Sequence, residues 1–150
     1  MPESLGGQLA NAFGEVLQRS SRARIYGDLT HGLDPAIDRA TYPVISALAR
    51  FGPRTAAQLA ADVGIDRSVV SRHGDRLEAH GVIRREPDPA DRRGTLLALT
   101  EDGGRQVAVM RTRLHTAFDD YLATWPPEQA RAFVDSFVRF VDEGPFGTPT

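Results

Sequence analysis

The chain contains neither cysteine nor lysine. Without cysteine there is no disulfide, no thiolate metal ligand and no thiol redox switch. Without lysine, all 18 basic residues are arginine. No apolar run approaches the roughly 20 residues that a membrane span needs. The opening MPESLGGQLANAF lacks the basic region and apolar core of a secretory signal. Glycine-rich phosphate loops and nucleophile elbows are also missing. A cytoplasmic protein with no membrane partner and no cofactor is the expectation.

What remains is a chain of 150 residues, 41% hydrophobic and 25% charged, enough for one domain with a real core. Its net charge of −2 speaks against a generally basic surface, but net charge hides distribution. Residues 66–93 hold seven arginines against six acids, a net +1, which leaves −3 for the rest. That asymmetry carries information only if the arginines share a face.

Leu5, Leu9, Phe13, Val16 and Leu17 repeat at helical spacing and predict a first helix over about 4–28. A second is expected from Asp38, as N-cap, to the RFGP break, bent where Pro43 removes a hydrogen bond. Thr55 and Gln58 have capping-box spacing and open a short third helix, Ala56–Asp62. Gly64 suits a left-handed helix end, and Asp66 suits the N-cap of a fourth helix over 67–80. VIRRE and TLLAL read as strands around the loop 87–94. Thr100 caps a fifth helix reaching about Thr124, and Pro127 falls in the first turn of a sixth. The expected fold is mainly α with a small β-hairpin, in the order α-α-α-α-β-β-α-α.

Residues 38–100 close a core of their own as a helix-turn-helix followed by a hairpin, a winged arrangement. Residues 1–37 and 101–143 supply the remaining helices of the single domain 1–150, and 144–150 read as a flexible tail. The fifth helix carries Val107, Met110, Leu114, Ala117, Phe118, Tyr121 and Trp125 down one side. The sixth carries Ala130, Phe133, Val134, Phe137, Val138 and Val141. Either these helices cover one another within one chain or a second copy covers them, and their length favours a homodimer.

The stretch TAAQLAADVGIDRSVVSRHGDRLEAHGVIRREPDPADRRGTLLALTEDG resembles the core of the MarR family of bacterial transcription regulators. The resemblance lies in Ser71-Arg72 of the fourth helix, Leu77 to Arg85, Asp91 to Arg93, and Leu99 to Gly103. It implies a homodimer paired through the first, fifth and sixth helices. It also implies a repressor on a pseudo-palindromic double-stranded operator, released by a small effector, often phenolic or lipophilic, bound between the lobes. Gly74 departs from the pattern, which has an aliphatic residue there. Glycine costs about 1 kcal/mol of helix propensity relative to alanine, so either the helix packs unusually close or the lobe is soft.

In such a protein the fourth helix enters the major groove N-terminus first. Arg67, Ser68, Val69, Ser71, Arg72 and His73 are then the candidate DNA-binding residues, with Val70, Gly74 and Leu77 turned to the core. Arg72 is the candidate for a bidentate guanine contact, and Val69 for a thymine methyl. In the loop, the resemblance points Arg93 into the minor groove with Asp91 orienting its guanidinium, while Arg92 meets phosphate, as do Arg84 or Arg85.

Other chemistry finds little support. Ser71, His73 and Asp75 are triad residue types, but helix neighbours two apart point to opposite sides, so no enzyme is expected. His73 and His80 stand roughly 10 Å apart along a helix axis, too far to share a metal. His31 and His115 have no partner at ligand spacing. Tyr42, Phe51 and Trp125 read as core rather than as a ligand pocket, so the residues that bind an effector stay unassigned. The alternative to DNA binding is a protein-interaction module that keeps the fold.

Overall fold

The computed structural model describes residues 3–147. Among them are α1 (Leu5–Leu17), α2 (Arg19–Thr30), α3 (Tyr42–Phe51), α4 (Ala56–Val63), α5 (Arg67–Ala79), β1 (Ile83–Pro87), β2 (Thr95–Leu99), α6 (Glu101–Leu122) and α7 (Pro127–Glu143). The mainly helical class and the single antiparallel hairpin agree with the sequence reading.

Two helix boundaries do not. The expected first helix is two, parted at Gln18, whose backbone is extended (φ −58, ψ 139). The apolar periodicity runs only to Leu17, and α1 buries no residue, so no packing holds the chain helical through the polar QRSSR. The expected helix from Asp38 begins instead at Tyr42. Asp38 Oδ1 accepts from the amides of Ala40 (2.8 Å) and Thr41 (3.0 Å), and Thr41 Oγ1 donates to Ala36 O (2.7 Å). These local bonds hold residues 38–41 in a turn. Pro43 therefore sits in the first turn, where its missing N–H has no partner to lose, and it bends nothing.

The capping box is formed as expected: Gln58 N–H reaches Thr55 Oγ1 at 3.1 Å, and Thr55 N–H reaches Gln58 Oε1 at 2.9 Å. Gly64 ends α4 in the left-handed region (φ 74, ψ 37). Asp66 holds the N-cap position of α5 with extended backbone, but its side chain makes no capping hydrogen bond.

The structure divides into two compact units, Met1–Arg111 and Thr112–Thr150. In the first, Val44, Ile45 and Leu48 of α3, Leu59 of α4, and Val70 and Leu77 of α5 close on Val82, Ile83, Leu97, Val107 and Met110. Arg54 pairs backbone to backbone with Leu97 (N–H to O 3.0 and 2.8 Å) and extends the hairpin by one bridge. Two side-chain links tie the segment after α2 to α5: Arg76 to Asp38 at 2.8 Å, and His80 Nδ1 to Asp34 Oδ1 at 2.9 Å.

In the second unit an aromatic series runs Tyr121, Trp125, Phe133, Phe137, with neighbouring ring centroids 5.2–5.9 Å apart. Phe118, Tyr121, Phe133, Phe137, Val138 and Val141 are nevertheless exposed. Of the expected tail 144–150, residues 148–150 lie outside the described residues, and Phe146 meets Phe140 edge-on at 6.2 Å.

Candidate nucleic-acid interface

Helix α5 shows two faces. Val70, Gly74 and Leu77, at i, i+4 and i+7, are buried, as their spacing predicts. Arg67, Ser68 and Arg72 are exposed, while Val69, Ser71 and His73 are half-buried beside them. Ser71 Oγ donates to Arg67 O at 3.0 Å, a bond to the preceding turn. Burial, followed by the positive charges of Arg72 and Arg76, pushes the His73 imidazole below its ordinary 6.5, against the pull of Asp38.

Gly74 resolves the question that its residue type raises. A Cβ built there would stand 2.8 Å from Leu97 Cδ2 and 3.5 Å from Arg85 Nη2. Helix and hairpin approach at a distance that only glycine allows without displacement.

The hairpin pairs Ile83 with Leu99, Arg85 with Leu97 and Pro87 with Thr95. Its tip is a succession of side-chain turns. Asp88 Oδ1 accepts from Ala90 N–H at 2.8 Å, and Asp91 Oδ1 accepts from Arg93 N–H at 2.9 Å. Gly94 N–H returns to Asp91 O at 2.8 Å, and Asp88 N–H closes on Gly94 O at 3.1 Å. Here the expectation is corrected: Asp91 fixes the backbone of Arg93, in the manner of an Asx turn, rather than pairing with its guanidinium. Arg92 and Arg93 are both exposed.

Arg84 and Arg85 also differ from expectation. Arg84 pairs with Glu86 at 3.0 Å and donates to Leu99 O. Arg85 reaches back to α5, bonding Asp75 Oδ1 at 2.6 Å and Glu78. Burial lowers the affinity of Arg85 for its proton, but the two carboxylates outweigh it and hold the guanidinium more firmly charged than usual. Both arginines are engaged inside the protein.

Two of the remaining arginines, Arg67 and Arg93, converge. A cleft of about 430 Å³ lies between the N-termini of α4 and α5 and the hairpin tip, and Arg67, Ser71, Asp91 and Arg93 line it together. A second cavity, of about 720 Å³, lies along α2 and is lined by Arg19, Arg22, Tyr26, Arg39 and Ile65. The Tyr26 ring stacks on Tyr42 with centroids 4.4 Å apart. Sequence reasoning missed this cavity. Arg19, Arg22 and Tyr26 share a face at i, i+3 and i+7, but the phase of that face depends on the break at Gln18. Phe51, expected in the core, is exposed, with the Arg50 and Arg54 guanidinium carbons 5.5 and 5.0 Å from its ring centroid.

Among the described residues no helix is long and apolar enough to cross a membrane, and no cluster of histidines or acids could hold a metal ion.

Residues 31–94 match the model of the MarR family, which takes in α3 to the hairpin tip. The transcriptional regulator YxaD of Bacillus subtilis is 27% identical over 118 residues, 79% of this chain and 82% of its own. The transcriptional repressor NicR of Pseudomonas putida is 30% identical over 77 residues, 51% of this chain and 49% of its own. The fold is similar to that of the solved Rv1404 of Mycobacterium tuberculosis (TM-score 0.71, 23% identity, 97% of each chain). It is also similar to BpsR of Bordetella bronchiseptica, solved in a study of how 6-hydroxynicotinic acid regulates DNA binding (TM-score 0.58, 24% identity, 93% of this chain and 100% of that one). With helix-turn-helix, hairpin and relatives in agreement, the family match over residues 31–94 and the similar regulators support a MarR-family winged-helix transcriptional regulator.

Proposed function

We propose that the protein is a cytoplasmic homodimer that binds a pseudo-palindromic operator and represses transcription until a small effector releases it. The observation that carries this reading is the shared cleft, which sets Arg67 and Ser71 of α5 and Arg93 of the wing around one space. In this reading α5 lies in the major groove, with Arg72 on a guanine edge and Arg67, Ser68, Val69, Ser71 and His73 around it. Arg93 enters the adjoining minor groove, held by the turn that Asp91 makes, and Arg92 rests on phosphate. Repression accords with NicR, a transcriptional repressor.

The dimer is supported by the uncovered apolar faces. α1 buries nothing within the protomer, and Phe118, Tyr121, Phe133 and Phe137 stand exposed along α6 and α7. A second copy is the cover that closes such faces symmetrically. For the effector we propose the α2 cavity, where three arginines and Tyr26 suit an aromatic anion. The regulation of BpsR by 6-hydroxynicotinic acid supports that choice of chemistry.

The test is a mobility shift with the DNA upstream of the protein's own gene. Specific, salt-sensitive retardation is expected, weakened by Arg93→Ala with the dimer intact. No sequence-specific binding up to micromolar protein would make the chain an interaction module instead. Thermal-shift screening of aromatic acids, with Arg22→Ala as control, tests the cavity.

A further inference from the structure

Beyond the residues that would touch DNA, we infer that Arg85 is a positioning residue, a strap from the wing to α5 that sets where Arg93 stands relative to Arg67. The inference rests on the DNA-binding reading above, but its geometry stands in the protein alone. Arg85, on β1, bonds two carboxylates one turn apart on α5, Asp75 at 2.6 Å and Glu78. Its cross-strand partner is Leu97, whose Cδ2 fills the space left by the missing side chain of Gly74. Cross-strand partners lie on the same face of a hairpin. Leu97 and Arg85 therefore grip α5 side by side, one by packing and one by charge.

The alternative role for Arg85 is a phosphate contact, since it also lines the cleft with Arg67 and Arg93. Charge decides against it. With Asp75 and Glu78 the arginine forms a trio of net charge −1, which repels phosphate as a unit. Recruiting Arg85 to DNA would break two charge-assisted bonds and leave two carboxylates facing the backbone. Arg84 does not substitute for the strap, because it is engaged by Glu86 and by the carbonyl of Leu99.

The two roles give opposite signs in one variant. Asp75→Asn with Glu78→Gln removes two negative charges from the DNA-facing lobe and frees Arg85. If Arg85 contacts phosphate, this variant binds operator more tightly. If Arg85 is a strap, it binds roughly tenfold more weakly, a loss of ~1.4 kcal/mol. Arg85→Met produces a similar loss in the wild type and no further loss in the double variant, the signature of a shared interaction.

Hydrogen exchange of the DNA-free protein supplies an independent readout. The strap predicts faster exchange at amides 88–94 in both variants, with protection of Ile45 and Leu59 unchanged. If the double variant loses protection throughout, Glu78→Gln alone, which keeps Asp75, is measured in its place. Unchanged or tighter operator binding, additive losses, or unchanged exchange at the tip would each overturn the strap. If the wild type binds no specific DNA, the functional reading fails, and the exchange measurement still decides the strap.

Discussion

Gly103 lies against the carbonyl of Val82, so close that a Cβ on it would fall inside van der Waals contact with that oxygen. The same carbonyl accepts from Thr100 N–H and Thr100 Oγ1, both at 3.1 Å. The start of α6 is thus locked to the end of the α5–β1 turn through backbone atoms that have nowhere to move. Gly104, its neighbour, has open space around its Cα. Gly103→Ala is expected to destabilise by about 3 kcal/mol, at the upper end of overpacking costs. Gly104→Ala should stabilise by about 0.5–1 kcal/mol, the ordinary helix-interior gain. Urea midpoints at one fixed protein concentration check the pair, and equal effects of like sign would contradict the contact.

At Gly74 two effects of similar size compete. Alanine gains about 1 kcal/mol of helix propensity. It also presses on Leu97, which is buried and cannot swing into solvent, at a cost of about 1–3 kcal/mol. The clash should win, giving a net loss of about 1 kcal/mol. Gly74→Ala combined with Leu97→Val should recover part of it, since the shorter side chain withdraws the clashing methyl. The coupling is read from a double-mutant cycle.

Arg72 and Arg93 should fail differently when replaced by alanine. Loss of Arg72 removes a base contact, so it should cost about 1–3 kcal/mol on the operator and flatten the preference at one position of each half-site. Loss of Arg93 should weaken binding most where the flanking groove is A·T-rich. Binding titrations against a panel of operator variants separate the two. A uniform loss for Arg72→Ala would reassign it to phosphate.

Acid should act in two steps. The lowered affinity of His73 for a proton means the unfolded chain binds that proton more readily than the folded one. Stability therefore falls as pH drops below the ordinary 6.5 toward the lowered folded value. Burial alone would raise the Asp38 carboxyl, but the Arg76 hydrogen bond and the amides of Thr41 and Ala40 outweigh it and hold it below 3.8. Its contribution is present above 3.8 and is lost as pH falls through the folded value. His73→Gln should abolish the first decline and leave the second, whereas Asp38→Asn should abolish the second and deepen the first, because it removes a charge that favours protonated His73. Denaturation midpoints across pH 3–8 (roughly the span between these ordinary values and neutrality) show whether the declines separate.

The exposed aromatics of the second unit predict an association phenotype. Phe137→Asp places a charge on a face whose burial we assign to a second copy, and it should shift sedimentation toward the monomer. Arg93→Ala should leave sedimentation unchanged.

Much of the fold is legible because it is set by residues close in sequence. The Thr55–Gln58 box, the Gly64 turn and the buried triplet Val70, Gly74, Leu77 need only their own helix turns to form. The misread places depend on what lies across the chain. Asp38 was displaced as a cap because Thr41 and Ala36 compete for the same segment. Arg85 reads from sequence as a candidate phosphate contact because its partners belong to α5, and no spacing within β1 announces them. The break at Gln18 was invisible because α1 has no buried side chain to fix its course.

That last feature reaches past folding. Isolated helices shorter than about 12–15 residues are marginal in water, and α1 has 13 residues, two of them glycines in its first turn. In the dimer proposed here, its shape is a property of two molecules rather than one. Dilution should then unwind α1 before it touches the core around Ile45 and Leu59, so the number of copies in the cell becomes an input to whether α1 forms at all.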